Sequence, residues 1–127
     1  MTKWDEHGLL DKVSDALRQA SPLYLSAYQL AIKLERAHPG LAERLGKPLG
    51  GAGVGVHNSL TEYLAGQLVG RIDREGAAFP VERAHLSSED VREVRFAGPG
   101  GTDLVSSLTG SGYHLSLFRW RGPVSNS

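Results

Sequence analysis

The chain contains no cysteine, so disulfide bonds and thiolate chemistry are excluded and a reducing compartment is compatible with the composition. No stretch approaches the ~18–20 consecutive apolar residues that a membrane span requires. The first ten residues, MTKWDEHGLL, are charged and contain no apolar run, which is not the pattern of a signal peptide. We therefore expect a cytoplasmic protein without a membrane segment.

The chain also lacks an excess of charge of either sign. It carries 14 basic and 14 acidic residues, so its formal net charge at pH 7 is zero. Tight nucleic-acid binding usually depends on a basic footprint. Residues 31–60 hold four basic residues against two acidic ones, whereas residues 61–95 hold five arginines against seven acids. Of these two segments, only residues 31–60, the basic zone, carry an excess of positive charge that could attract a nucleic acid, and this excess is modest.

Motifs for metal binding or catalysis are missing as well. The five histidines are scattered with no pair three to five residues apart, and residues 109–112 (TGSG) lack the spacing of a nucleophile elbow. Residues 50–55 (GGAGVG) precede a helix start, where backbone donors can hold an anion. However, Lys47 is followed by Pro48 and not by the Ser or Thr of a P-loop. We expect no enzyme, no metal and no cofactor, and we interpret the glycine stretch as a connector.

The length of 127 residues predicts one domain, which we place at residues 1–121, with a disordered tail at 122–127. Apolar periodicity predicts helices over residues 4–20, over 27–37 and over 60–74, and a further short helix over 41–45. Ser26 with Gln29, and Ser59 with Glu62, have the spacing of capping boxes. Strands are predicted near 81–86, 93–97 and 113–121, with a loop at 102–112. We expect the strands near 93–97 and 113–121 to pair as an antiparallel hairpin.

The segment YLSAYQLAIKL (residues 24–34) followed by SLTEYLAGQL (residues 59–68) resembles the helix pair of a winged helix-turn-helix domain. The resemblance is one of layout and extends from about Leu9 to Arg121. It implies an α+β fold in which three main helices precede a C-terminal β-hairpin, with a single layer of helices on a small antiparallel sheet. In that class the third helix enters the DNA major groove and the hairpin contacts phosphates. Residues 39–58 replace the usual turn of about three or four residues.

The resemblance implies a small DNA-binding protein that acts in transcriptional regulation, as a homodimer. The side chains expected to contact the duplex lie in the basic zone, at the start of the central helix and on the last strand. They are Lys47, His57, Asn58, Ser59, Thr61, Arg119 and Arg121.

The alternative is a winged-helix-like module that binds another protein and not DNA. Glu62, Gly66, Gly70 and Asp73 share the arc of the central helix opposite its leucines, and this arc is acidic at both ends and bare between them. Either another backbone packs closely on the two glycines, or the arc is exposed. Trp120 and Arg119 are the candidate partner-binding residues, because Trp and Arg are common interface anchors. Phe118 and Trp120 are equally compatible with packing on the core.

Overall fold

The computed structural model of the protein describes residues 2–50, 59–87, 89–91, 93–98, 101–106 and 115–121. Over these residues the chain is a mixed α+β fold with a small antiparallel sheet. Its helices are α1 (Lys3–Glu6), α2 (Leu9–Ala20), α3 (Ala27–Ala37), α4 (Leu41–Leu45) and α5 (Leu60–Glu75). Its strands are β1 (Leu25–Ser26), β2 (Val81–Leu86), β3 (Arg95–Ala97), β4 (Asp103–Val105) and β5 (Leu115–Trp120).

The predicted helix over residues 4–20 is divided in two, so that prediction was wrong at its N-terminal end. Gly8 has a φ of 59° in the left-handed region, which a right-handed helix cannot contain. Helix α2 therefore begins at Leu9 and presents Leu9, Val13 and Leu17, all fully buried, to the core. It ends at Ala20, just before the Ser21-Pro22 pair, as predicted.

Helix α3 begins with the predicted capping box. The Ser26 Oγ accepts a hydrogen bond from the Gln29 backbone N–H (3.1 Å), and the Gln29 Oε1 accepts one from the Ser26 N–H (2.8 Å). The Glu35 carboxylate near the other end of α3 accepts from the N–H groups of Gly40 (2.7 Å) and Ala42 (2.9 Å). Two backbone donors that would otherwise be free at the start of α4 are satisfied in this way.

Helix α5 is the longest helix among the described residues, and its bounds confirm the predicted central helix. The Ser59 Oγ accepts from the Glu62 backbone N–H at 3.1 Å. Leu60, Leu64 and Leu68 are fully buried. The helix ends at Glu75, and the φ of 54° at the next residue, Gly76, stops a right-handed helix.

The main sheet has three antiparallel strands in the order β1-β5-β2. Strand β5 therefore lies in the middle, with Phe118 opposite Leu25 of β1 and opposite Arg83 of β2. Helices α2 and α3 pack against β5, and α5 packs against β2. Phe118 is fully buried at the centre of this contact.

The predicted pairing of residues 93–97 with 113–121 is wrong, because β3 pairs with β4 in a separate two-stranded sheet. Residues 103–105, predicted to lie in a loop, form β4. The connection from β3 to β4 is short, and short connections cost less closure entropy than a long one to β5. Strand β5 pairs instead along the whole six-residue length of β2. Residues 107–114 and the predicted tail at 122–127 lie outside the described residues.

Most of the buried apolar side chains of α1 to α5, β1, β2 and β5 belong to one hydrophobic cluster that extends from Trp4 to Phe118. The β3–β4 hairpin contacts α3 separately: the Phe96 ring stacks on the Tyr28 ring with centroids 5.1 Å apart. The Arg36 guanidinium also donates to the Ala97 carbonyl at 3.1 Å. Within the described part of the chain, no helix is both long enough and apolar enough to cross a membrane.

Replacing Ser26 with alanine should lower the free energy of unfolding by about 1 kcal/mol, because the Gln29 N–H loses its acceptor. Urea denaturation followed by circular dichroism measures the change. Gln19→Ala, at an exposed position of α2, is the control and should stay within about 0.5 kcal/mol of the parent. Equal stabilities for Ser26→Ala and Gln19→Ala would contradict the capping role.

Candidate interaction surfaces

The first backbone N–H groups of α5 already have hydrogen-bond acceptors within the chain. The N–H groups of Leu60 and Thr61 donate to the carbonyls of Pro48 (2.8 Å) and Leu49 (3.1 Å), and Ser59 caps the next N–H. These are the donors through which a helix start would hold an anion. An anion therefore finds no free N–H on these first-turn residues. Residues 51–58 of the glycine loop lie outside the described part of the chain.

Two of the predicted DNA contacts, Ser59 and Thr61, have buried side chains, with exposed fractions of 4% and 2%. The Thr61 hydroxyl donates to the Leu49 carbonyl at 2.9 Å. Gly50 passes so close that a Cβ built on it would lie 2.7 Å from the Thr61 Oγ1. The Thr61 side chain thus fastens the preceding segment to α5, and the Ser59 side chain caps the helix. His57 and Asn58 lie outside the described residues, so their DNA contacts stay predictions.

Lys47 belongs to a cluster of cations and aromatic rings. Its Nζ lies 4.9 Å from the centroid of the Tyr63 ring, and the Tyr63 ring tilts against Trp4 with centroids 6.5 Å apart. The Arg71 guanidinium lies 4.7 Å from the centroid of the Trp4 ring. Burial raises the pKa of the Tyr63 phenol above its ordinary value. No local sequence pattern indicates this cluster, since its members lie far apart in the chain.

Arg119 of β5 and Arg121, the residue after β5, bind groups of the protein itself. Arg119 forms an ion pair with Glu82, its register partner on β2, and its guanidinium lies 4.4 Å from the centroid of the Tyr24 ring. Arg121 donates to the carbonyls of Gly76 and Phe79. The Glu82 carboxylate offsets the charge of Arg119, whereas the two carbonyls leave the charge of Arg121 in place. Arg119 thus ties β5 to β2, and Arg121 ties the residue after β5 to the segment before β2.

Trp120, the predicted partner anchor, is half-buried and packs against the hydrophobic core. The Arg18 guanidinium lies 5.1 Å from the centroid of its ring. Arg18 also forms an ion pair with Asp15 at 2.5 Å. The packing interpretation of Phe118 and Trp120 thus matches their placement.

The solvent side of α5 is open at its glycines. Gly66 is exposed, and no described atom outside its own helix turn lies within 4 Å of a Cβ built there. The nearest such atom to a Cβ on Gly70 is the flexible end of Arg74, at 3.3 Å. Among the two alternatives for this arc, the described residues favour the exposed face. Asp73 beside it is exposed as well.

A groove of about 660 Å³ lies between α2 and α3. Lys12 and Asp15 line it from α2, and Lys33, Arg36 and His38 from α3 and the residue after it. This groove was not predicted from the sequence. One sequence pattern could have indicated it. On each of the two helices, basic residues share a helical face with alanines: Lys12 with Ala16 and Ala20 on α2, and Lys33 and Arg36 with Ala37 on α3.

Comparison with protein-family models, with curated proteins and with solved structures finds no match to this chain. Over the described residues, no group of three His, Asp or Glu side chains is placed to hold a metal ion.

Because Gly66 is exposed in the interior of α5, Gly66→Ala should raise the free energy of unfolding by about 0.5–1 kcal/mol. The matched control is Gly50→Ala, which should destabilise, since Gly50 has a φ of 141° and no room for a Cβ. Thermal and urea unfolding of both variants provide the measurement. A loss of stability in Gly66→Ala would show that this face is covered by another part of the chain.

Proposed function

We propose that the chain is a winged-helix-like module whose function is to bind another protein. The order of elements supports the fold part of the proposal: α2, β1, α3 and α5 precede β2 and β5. In this arrangement β2 and β5 form the hairpin, and β1 adds a third strand. The position of the recognition helix is then occupied by α5.

The observation that carries the functional part is the solvent side of α5. A helix that enters the major groove needs polar or basic side chains that reach base edges. Here the arc consists of the exposed Gly66, the half-buried Gly70, which the end of the Arg74 side chain approaches, and the exposed Asp73. Duplex DNA repels acidic groups, whereas a protein surface can approach a bare helix face closely. The helix is thus better suited to a polypeptide partner than to a duplex.

The engagement of Arg119 supports the same conclusion. Electrostatic binding of DNA depends on cations that neutralise phosphates. Arg119 is already paired with the Glu82 carboxylate, so using it to hold a phosphate would cost an ion pair that joins β5 to β2. Arg121, which donates to two carbonyls, and Lys47, which lies over Tyr63, keep their charge.

We call the surface of α5 at Gly66 and Gly70 its glycine face. A bound partner protein should no longer copurify when this face is blocked. Gly66→Arg places a long side chain on this face without a clash, and arginine is a better helix former than glycine. Thr102→Arg, at an exposed residue next to β4, is the matched control. Copurification after expression in the native host should yield a stoichiometric partner with the parent and with Thr102→Arg, but not with Gly66→Arg.

Sedimentation velocity of the purified chain at two concentrations determines whether the partner is a second copy, as in the predicted homodimer. A parent that is monomeric and copurifies with no protein would contradict the proposal. So would equal partner yields from Gly66→Arg and Thr102→Arg, provided that both variants keep the parental melting temperature.

DNA binding is the second candidate function, and the order of elements favours it, because winged-helix domains commonly bind DNA through the third helix and the hairpin. Anisotropy of a labelled random-sequence duplex distinguishes the two functions. Phosphate contacts dominate non-specific binding and weaken steeply with salt. Binding at ~10 μM protein in low salt that disappears near 200 mM salt would favour DNA. The protein-binding proposal predicts no binding under either condition.

A further inference from the structure

The groove between α2 and α3 combines an apolar floor with a basic rim. Ala16 and Ala20 of α2 and Leu34 and Ala37 of α3 line it together with the charged side chains. Alanine leaves room between two helices that larger residues would fill. The groove volume of about 660 Å³ is sufficient for several side chains of a partner.

The rim carries positive charge that nearby acids do not neutralise. Lys33 is exposed, and among the described residues no carboxylate lies within ion-pair distance of it. Lys12 and Arg36 donate to backbone carbonyls, those of His7 (2.6 Å) and Ala97 (3.1 Å), which orients both cations without cancelling their charge.

Asp15, the acidic residue among those that line the groove, does not neutralise these cations. The Asp15 carboxylate is already paired with Arg18, at 2.5 Å. The groove therefore presents a net positive rim around an apolar floor, in a chain whose total charge is zero.

We propose that this groove binds an acidic, amphipathic helical segment of another protein. The carboxylates of such a segment would meet Lys12, Lys33 and Arg36, and its apolar side chains would enter the alanine-lined floor. A duplex fits this surface less well, because its phosphodiester backbone has no apolar groups to place in the floor. This inference rests on the proposed function only in that the ligand is a polypeptide. The groove is lined by residues of α2 and α3 and by His38, none of which belongs to the glycine face of α5.

The probe is a fluorescein-labelled peptide of about 14 residues with leucines on one helical face and glutamates on the other. Anisotropy should show saturable binding to the parent chain. Lys33→Glu should weaken binding about tenfold, and Lys33→Arg should leave it within about twofold. Arg83→Glu, which reverses an exposed charge on β2, is the matched control and should change the affinity less than about twofold. A scrambled peptide of equal composition should bind more weakly, since its leucines share no face.

Absence of binding to the parent would overturn the inference. So would equal losses in Lys33→Glu and Arg83→Glu, which would indicate long-range attraction without a site. Displacement of the peptide by random duplex DNA, lost in Lys33→Glu, would assign the groove to nucleic acid instead. Failure of peptide binding while Gly66→Arg still abolishes copurification would refute this inference alone and leave the proposed function standing.

Discussion

The structure depends on the pairing of one strand near the C-terminus with two partners from distant parts of the chain. Strand β5 bonds to β1 along one edge and to β2 along the other, so Phe118 is placed between Leu25 and Arg83. The two residues of β1 have too little length to form a sheet without β5. Because α2 and α3 pack on β5 and α5 packs on β2, the hydrophobic core is complete only when this strand is in place.

The same strand determines where the chain can present charge to a partner. Side chains alternate along a strand, so Phe118 and Trp120 face the core while Arg119 lies beside Glu82 and Tyr24. Arg119 thereby joins β5 to β2, and the solvent side of α5 includes the exposed Gly66 and Asp73. Among the described residues, no carboxylate forms an ion pair with Lys33, which lies on a different side of α3 from its buried leucines. The two surfaces that we propose for a partner both lie on helices.

Local features were predictable from the sequence, and long-range ones were not. The Ser26–Gln29 box, the stop at Gly76 and the extent of β2 follow from residues adjacent in the chain, and all three were predicted. The partners of β3 and β5 depend on loop closure and register, which no local pattern specifies. Once β2 and β5 are known to pair, the opposite charges of Glu82 and Arg119 at facing positions become interpretable. The groove was missed because its cations come from two helices that only the fold brings together.

The strand order β1-β5-β2 is tested most directly by cross-strand nuclear Overhauser effects recorded on isotope-labelled protein. This order predicts backbone contacts from Phe118 to both Leu25 and Arg83, and a separate set between Phe96 and Leu104. Contacts between residues 95–97 and 115–120 would contradict it. That result would restore the simple C-terminal hairpin expected from the sequence, and it would remove the basis for assigning Arg119 and Arg121 to the fold.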